Sequence, residues 1–345
     1  MTFIINSYAY ATPVSGSFLC TALELQEEAP EGLPIRLTEA VIAGGHAFWS
    51  TVQSDGGDIR FYSDEAMTTR LPCYVRSIDT GTPSMDLYVQ SPSGGLSTTD
   101  TIYLRVGSDS GALSQPAVGD PFGRNACFDF FDRYTFDFVT DVTGNGSFTQ
   151  QGSPPSISGP YGMPGLEMNS VTGRRVESDY TTDSGPFTFA GFARSANGGG
   201  NWGYIFSKGG PGYIILDGWN GSEVRLQRAF TTTNLTYWGV GSTYANTWRR
   251  ILIAHGGVEA TVPVMCQDGV DVAAAGGALP AGSFVESTDV AKAGCHPNNA
   301  GVMGGDLAGP YYWKDGAVSA AWALAEFQTL ATPSDFITAD AGTSL

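Results

Sequence analysis

Stretches in which apolar and polar residues alternate recur along the first third of this chain. Leu87 and Val89 alternate with Asp86 and Tyr88, and Ile102 and Leu104 alternate with Tyr103 and Arg105. A period of two sends successive side chains to opposite faces, so each stretch predicts a strand with one face buried. Phe48 to Val52, Ile59 to Tyr62 and Leu71 to Val75 predict further strands of the same unit. Ser54 to Asp58 between them is a tight turn, because glycine supplies the positive φ it needs. Farther on, Phe128, Phe130, Phe131, Tyr134, Phe136 and Phe138 nearly alternate with Asp129, Asp132 and Asp137, which predicts an entry strand over Cys127 to Val139. Successive strands are predicted at Gly165 to Met168, Phe187 to Arg194, Tyr204 to Lys208, Tyr213 to Leu216 and Glu223 to Gln227. Trp248 to Ala254 reads as a buried strand opened by a core tryptophan. Val262 to Gln267 follows and ends in an Asp268-Gly269 turn, so the pair predicts a hairpin. Ser319 can cap a short helix through Phe327, with Trp322 in the core.

These elements group into an N-terminal arm or docking segment (1–35), a small β-sandwich (36–108), a Gly/Pro/Ser linker (109–125) and a second sandwich (126–345). The arm has a second reading, as the first strand of the unit that follows. The expected fold class is all-β: two antiparallel jelly-roll sandwiches in tandem, with one short C-terminal helix. A chain of 345 residues with 46 Gly and only 15% charged residues fits that architecture.

The formal net charge is −17, and 17 basic residues, only three of them Lys, form no cluster in the sequence. Nucleic acid and anionic membranes are therefore poor partners, and the acidity reads as a solubility feature. Five cysteines, an odd number with no CxxC, support neither a disulfide framework nor a zinc site. Cys73 and Cys266 fall inside strand-like runs and read as buried apolar residues. No run is long enough to insert in a membrane. Met1 to Cys20 lacks the basic and continuous apolar regions of a secretory signal.

Catalytic chemistry finds little support. His46, His255 and His296 occur in no HExxH pattern, and there is no GxSxG. Glycoside hydrolysis needs two carboxylates roughly 5 to 10 Å apart, yet Glu167 and Glu223 stand isolated on their strands. No catalytic residue is expected. Binding is better served. Trp202, Tyr204, Trp219, Asn220, Tyr237 and Trp238 set aromatic rings beside Gly or Asn, where rings can stack on sugars and amides can bond hydroxyls. Asp217, Asp268 and Asp306 are loop carboxylates that could hold a Ca2+ ion. No other cofactor is expected.

Two resemblances sharpen this. Asp55-Gly56-Gly57-Asp58-Ile59-Arg60-Phe61, Leu71-Pro72 and Asp100-Thr101-Ile102-Tyr103-Leu104 resemble a bacterial and phage β-domain family without assigned chemistry. Phe187 to Arg194, Trp248 to Ala254, Gln267-Asp268-Gly269 and Gly304 to Phe327 resemble, in that order, a laminin-G-like, concanavalin A-like sandwich. Met265-Cys266-Gln267 departs from that pattern, which has an aromatic before the Asp-Gly turn. Such domains imply glycan contact at a surface, while this sequence shows no export signal. The reading that joins both is a bacteriophage virion protein, either a head decoration or fibre or a tail-associated part. It would be a homo-oligomer, such as a trimer, held to other virion proteins and facing host polysaccharide. A bacterial surface or secreted adhesion protein is the alternative, and a polysaccharide-degrading enzyme comes third.

Overall fold

A computed structural model of the protein describes residues 18–107, 113–168, 171, 173–180, 185–195, 203–209, 214–219, 223–240, 246–257, 262–272, 274–275, 281–283, 285, 289–296, 298–299 and 303–344. Among these residues the strands form four antiparallel sheets, and helices are short and few. The all-β class follows directly.

Leu19–Leu25 is the strand on which the first unit is built. Leu19, Leu23 and Leu25 are buried at alternate positions. It pairs with Thr101–Val106 on one side and with Ile337–Ala339 and Thr343–Ser344 on the other. Residues 19–35 fold as strand and turn, and residues 1–17 lie outside the described residues. Arg60–Tyr62 and Arg70–Leu71 complete this six-stranded sheet. A three-stranded sheet, Pro34–Thr38, Ser84–Gln90 and Cys73–Asp79, shares its core through Ile35, Leu37, Cys73 and Leu87. Phe48 to Val52, expected as a strand, contains a one-turn helix, α1 (Phe48–Thr51). Phe48 and Trp49 are neighbours in sequence and both buried. A strand would send them to opposite faces, whereas a helical turn lets both reach the core.

The aromatic run after the expected linker is also not one strand. It opens with helix α2 (Arg124–Cys127), turns twice, and contributes only the short strand Arg133–Thr135. Its rings fill the seam between the two units. Phe131 lies 4.6 Å from Tyr312, Tyr134 stacks on Tyr312 at 5.5 Å, and Phe130 stacks on Trp322 at 5.7 Å between centroids. Cys127, Phe128 and Phe131 belong to the first unit's core. The last strands of the chain close the first unit's sheet.

The second unit is a sandwich of two eight-stranded sheets. Its inner sheet centres on Phe187–Ser195, Arg249–His255 and Gly305–Asp315, which are buried at almost every position. Such strands read as continuous apolar runs because both faces are covered. Phe189, Ile251, Ile253 and Leu307 face the outer sheet's Phe206 and Leu226. Ala190, Leu252, Ala254 and Tyr312 face the first unit and helix α3 (Ala320–Ala331). Ser319 caps α3 by accepting the Trp322 N–H at 3.1 Å, as expected, and α4 (Pro333–Phe336) follows. Trp248 departs from expectation: it is half-buried at the strand's start, under the Arg194 guanidinium at 4.7 Å.

Candidate functional site

Of the residues expected to bind glycan, Tyr204, Trp219, Tyr237 and Trp238 lie on strands of the outer sheet, and most of these have no described side chain. Trp202 and Asn220 are outside the described residues. For Trp219, Tyr237 and Trp238 only backbone placement is given. Register puts Trp238 opposite Arg225, Arg225 opposite Asp217, and Asp217 opposite Tyr204, so these four share one cross-strand row. Arg225 is half-buried while its neighbours Val224 and Leu226 are buried. Tyr237 stands instead in the row of Leu226. Trp219 pairs with Glu223 at the strand ends. Tyr204 is half-buried and packs edge-on against His296 at 4.7 Å.

Of the three calcium candidates, Asp268 and Asp306 have described side chains, and both face arginines. Asp268 and Gly269 both take positive φ, 51° and 76°, in the predicted hairpin turn. The Asp268 carboxylate accepts Arg249 Nη1 at 2.7 Å and the Arg250 backbone N–H at 2.8 Å. Asp306 pairs with Arg194 Nε at 2.6 Å from the adjoining strand. Among the described residues no cluster of three or more His, Cys, Asp or Glu side chains is placed to hold a metal.

A concavity lies elsewhere. A cleft of about 550 Å³ opens where the three-stranded sheet meets the C-terminal end of α3 and the Pro160–Gly162 turn. That is the size of a typical small-ligand site. Arg36 forms its floor. It is buried, and each of its three nitrogens donates: Nε to Asp86 at 2.7 Å, Nη1 to the Leu330 carbonyl at 3.1 Å, and Nη2 to the Tyr161 carbonyl at 3.1 Å. Its backbone N–H donates to Thr329 Oγ1 at 2.7 Å. One guanidinium thus joins a strand, the last turn of a helix with its unpaired carbonyls, and a turn of the second unit. Asp86 answers with both oxygens, the second accepting from Arg76 Nη1. Glu39 adds a carboxylate that accepts the Met85 N–H at 3.3 Å.

Tyr161 supplies the rim. Tyr161 is 42% exposed, and among the described side chains it is the one aromatic that is exposed rather than half-buried or buried. Its backbone sits at φ 54°, ψ 33°, a left-handed conformation that costs a tyrosine energy. Phe192 and Phe327 hold the ring edge-on at 5.8 and 6.5 Å. Burial, and then the Asp268 charge, push its phenol pKa up, while Arg249 pulls it back. The cleft therefore combines an exposed ring, paired guanidinium and carboxylate groups, and Thr38 and Ser77 hydroxyls. It offers stacking area together with closely spaced donors and acceptors.

Sequence reasoning missed this cleft because Arg36 and Asp86 look like the polar face of their strands. A signal was present in Gly159-Pro160-Tyr161-Gly162, an aromatic beside glycine and outside any strand pattern. That is the rule that selected Trp202 and Trp219.

No family model matches the chain. No curated protein matches it either. Among solved structures, the binding domain of Paraclostridial Mosquitocidal Protein 1 is similar at a TM-score of 0.44 and 10% identity, over 57% of this chain and 52% of that one. Domain 4 of AbnA, a GH43 extracellular arabinanase from Geobacillus stearothermophilus in complex with arabinotriose, is similar at 0.43 and 14%, over 57% of this chain and 98% of that one. The Botulinum Neurotoxin Type G receptor binding domain is similar at 0.41 and 10%, over 55% and 47%. The chain spans about half the length of the two toxin structures.

Proposed function

We propose that this protein binds carbohydrate without catalysis, and that the cleft beside Tyr161 is where a sugar docks. The observation that carries this reading is the exposed Tyr161 ring, held in a strained turn over a floor of hydrogen-bonded charged groups. Rings of that kind give a pyranose an apolar face to stack on, and fixed charged pairs bond its hydroxyls. Asp86 accepts from Arg36 and Arg76 with its two oxygens, which fixes both guanidiniums beside the cleft. The outer-sheet row of Tyr204, Asp217, Arg225 and Trp238 is a second surface for the same ligand class.

The biological setting in this reading is a bacteriophage particle. There the chain is a homo-oligomeric structural protein of the head or tail, and its sandwich meets host polysaccharide. The sequence resemblances support that setting. A bacterial surface or secreted adhesion protein shares the same binding chemistry.

A glycan array with the intact chain and its Tyr161→Ala variant tests the binding reading. Retention of polysaccharides by the intact chain and loss of at least tenfold in the variant support it. An array without any retained glycan sinks it. Copy number in purified virions tests the setting.

A further inference from the structure

Arg76 separates the cleft from a second, smaller hollow. This pocket, about 200 Å³, is lined by Tyr74, Arg76, Arg124, Phe136, Asp137, Thr140 and Val142. It continues the cleft along Cys73–Asp79, which is the edge strand of its sheet. Arg76 is fixed from two sides. Asp86 takes one nitrogen, and the Phe136 ring lies 4.9 Å below the guanidinium. Its side chain keeps 22% exposure.

Arg124 differs from the arginines around it. Arg36, Arg76 and Arg133 each have a carboxylate partner. No described carboxylate pairs with Arg124, and its Nε is buried without an acceptor among the described residues. A buried guanidinium N–H left unbonded is costly and rare. The one carboxylate in this hollow is already engaged: Asp137 accepts the N–H groups of Val139 and Thr140 at 2.9 and 2.8 Å, and the hydroxyls of Thr135 and Thr140 at 3.1 Å. Both guanidiniums act on the Tyr74 phenol. Burial raises its pKa, and Arg124 and then Arg76 oppose that rise. Both guanidiniums line the hollow together with that tyrosine.

From this geometry we infer that the hollow receives the carboxylate of an acidic sugar, such as a uronic acid, whose neighbouring residue occupies the cleft beside Tyr161. The inference rests on the carbohydrate-binding reading and names its ligand class. Guanidinium groups suit a carboxylate because two N–H groups can bond its two oxygens together. Arg76 stands on both sides of the wall and would serve both sugars. The site also fits the chain's charge: a protein of net charge −17 repels polyanions at large, so an acidic ligand needs local arginines, here Arg124 without a described carboxylate partner beside the Asp86-bound Arg76.

The test uses the intact chain and two oligosaccharides of equal length, one carrying glucuronate and the other with that carboxyl reduced to an alcohol. Calorimetric titration at low and high salt gives the affinities. The acidic form should bind about tenfold tighter at low salt, and this preference should shrink with salt because ionic screening weakens it. In Arg124→Gln the preference should vanish, with thermal unfolding used to show an intact fold. Equal affinity for both forms, or a preference that survives in Arg124→Gln, overturns the inference. A second readout separates it from the broader reading. The Arg124 Nε–H nuclear magnetic resonance signal should move on titration with free glucuronate and stay with glucose, even if no oligosaccharide is retained. A signal that ignores glucuronate overturns the anion site, and one that responds to sulfate and glucuronate alike, without gain from the oligosaccharide, overturns the sugar assignment.

Discussion

Arg250 and Glu326 face each other inside the protein, their side chains only 1% and 3% exposed. Arg250 Nε reaches one carboxylate oxygen at 3.1 Å and Nη2 reaches the other. The guanidinium lies between the rings of Phe192 and Tyr312, and also donates to the Pro310 carbonyl. This pair ties the inner sheet to α3, and α3 in turn carries the Thr329 and Leu330 groups that hold Arg36 under the cleft.

Removing one partner of such a pair strands a charge in an apolar interior. Glu326→Leu is expected to lower stability by about 3 to 5 kcal/mol. Arg250→Met combined with Glu326→Leu should recover most of that loss, since the apolar replacements fill similar volume. Urea unfolding of the two variants decides it: a double variant as unstable as the single one would contradict the account.

Ser319 supplies the side-chain cap of α3, accepting the Trp322 N–H. Ser319→Ala should cost about 1 kcal/mol. The same variant should weaken sugar binding little, because the cleft lies at the helix's other end. Denaturant midpoints and titration read the two effects separately.

The cysteines should be inert in the folded chain. Burial pushes the thiol pKa of Cys73 and Cys295 up to about 11 and that of Cys266 up to about 12, and raises Cys127 well above its usual value. A thiolate is the reactive form, so a disulfide-exchange reagent at neutral pH should titrate at most Cys20, which is half-exposed. All five thiols should react once the chain is denatured. Rapid reaction of more than one thiol in the native chain would contradict the burial described.

Asp137 gives a signed pH dependence. Burial works to raise its pKa, but N–H bonds from Thr140 and Val139 and the threonine hydroxyls outweigh it and hold the carboxyl below its ordinary value. The native state then binds this proton more weakly than the unfolded chain does. The stabilisation is complete above the unfolded value of about 3.9 and is lost as pH falls through the lower native pKa. Asp137→Asn should therefore flatten the stability–pH curve below about pH 4 and leave its shape near neutrality unchanged. Urea midpoints across that range measure it, and an unaltered acid limb would count against the assignment.

Much of the sandwich was legible because burial on both faces writes a continuous apolar run, as in Arg249–His255, and because Asp268-Gly269 can only be a tight turn. Local pattern could not reveal which distant segments meet. Leu23 pairs with Ala339, and Arg36 bonds Leu330, across nearly the whole chain. That long-range closure ties residues 19–25 and the C-terminal strands into one sheet and brings α3 against the first unit's core. It also built the cleft from residues that alternation marks as merely polar. Phe48 and Trp49 misled for a related reason, since neighbouring aromatics fit a strand by propensity but a helical turn by burial.

The central claim is that the cleft beside Tyr161 holds a sugar. Titration of the intact chain and of Tyr161→Ala with an oligosaccharide retained on the array tests it most directly. The account predicts at least tenfold weaker binding in the variant with an unchanged unfolding midpoint. Equal affinity in the two proteins would contradict it.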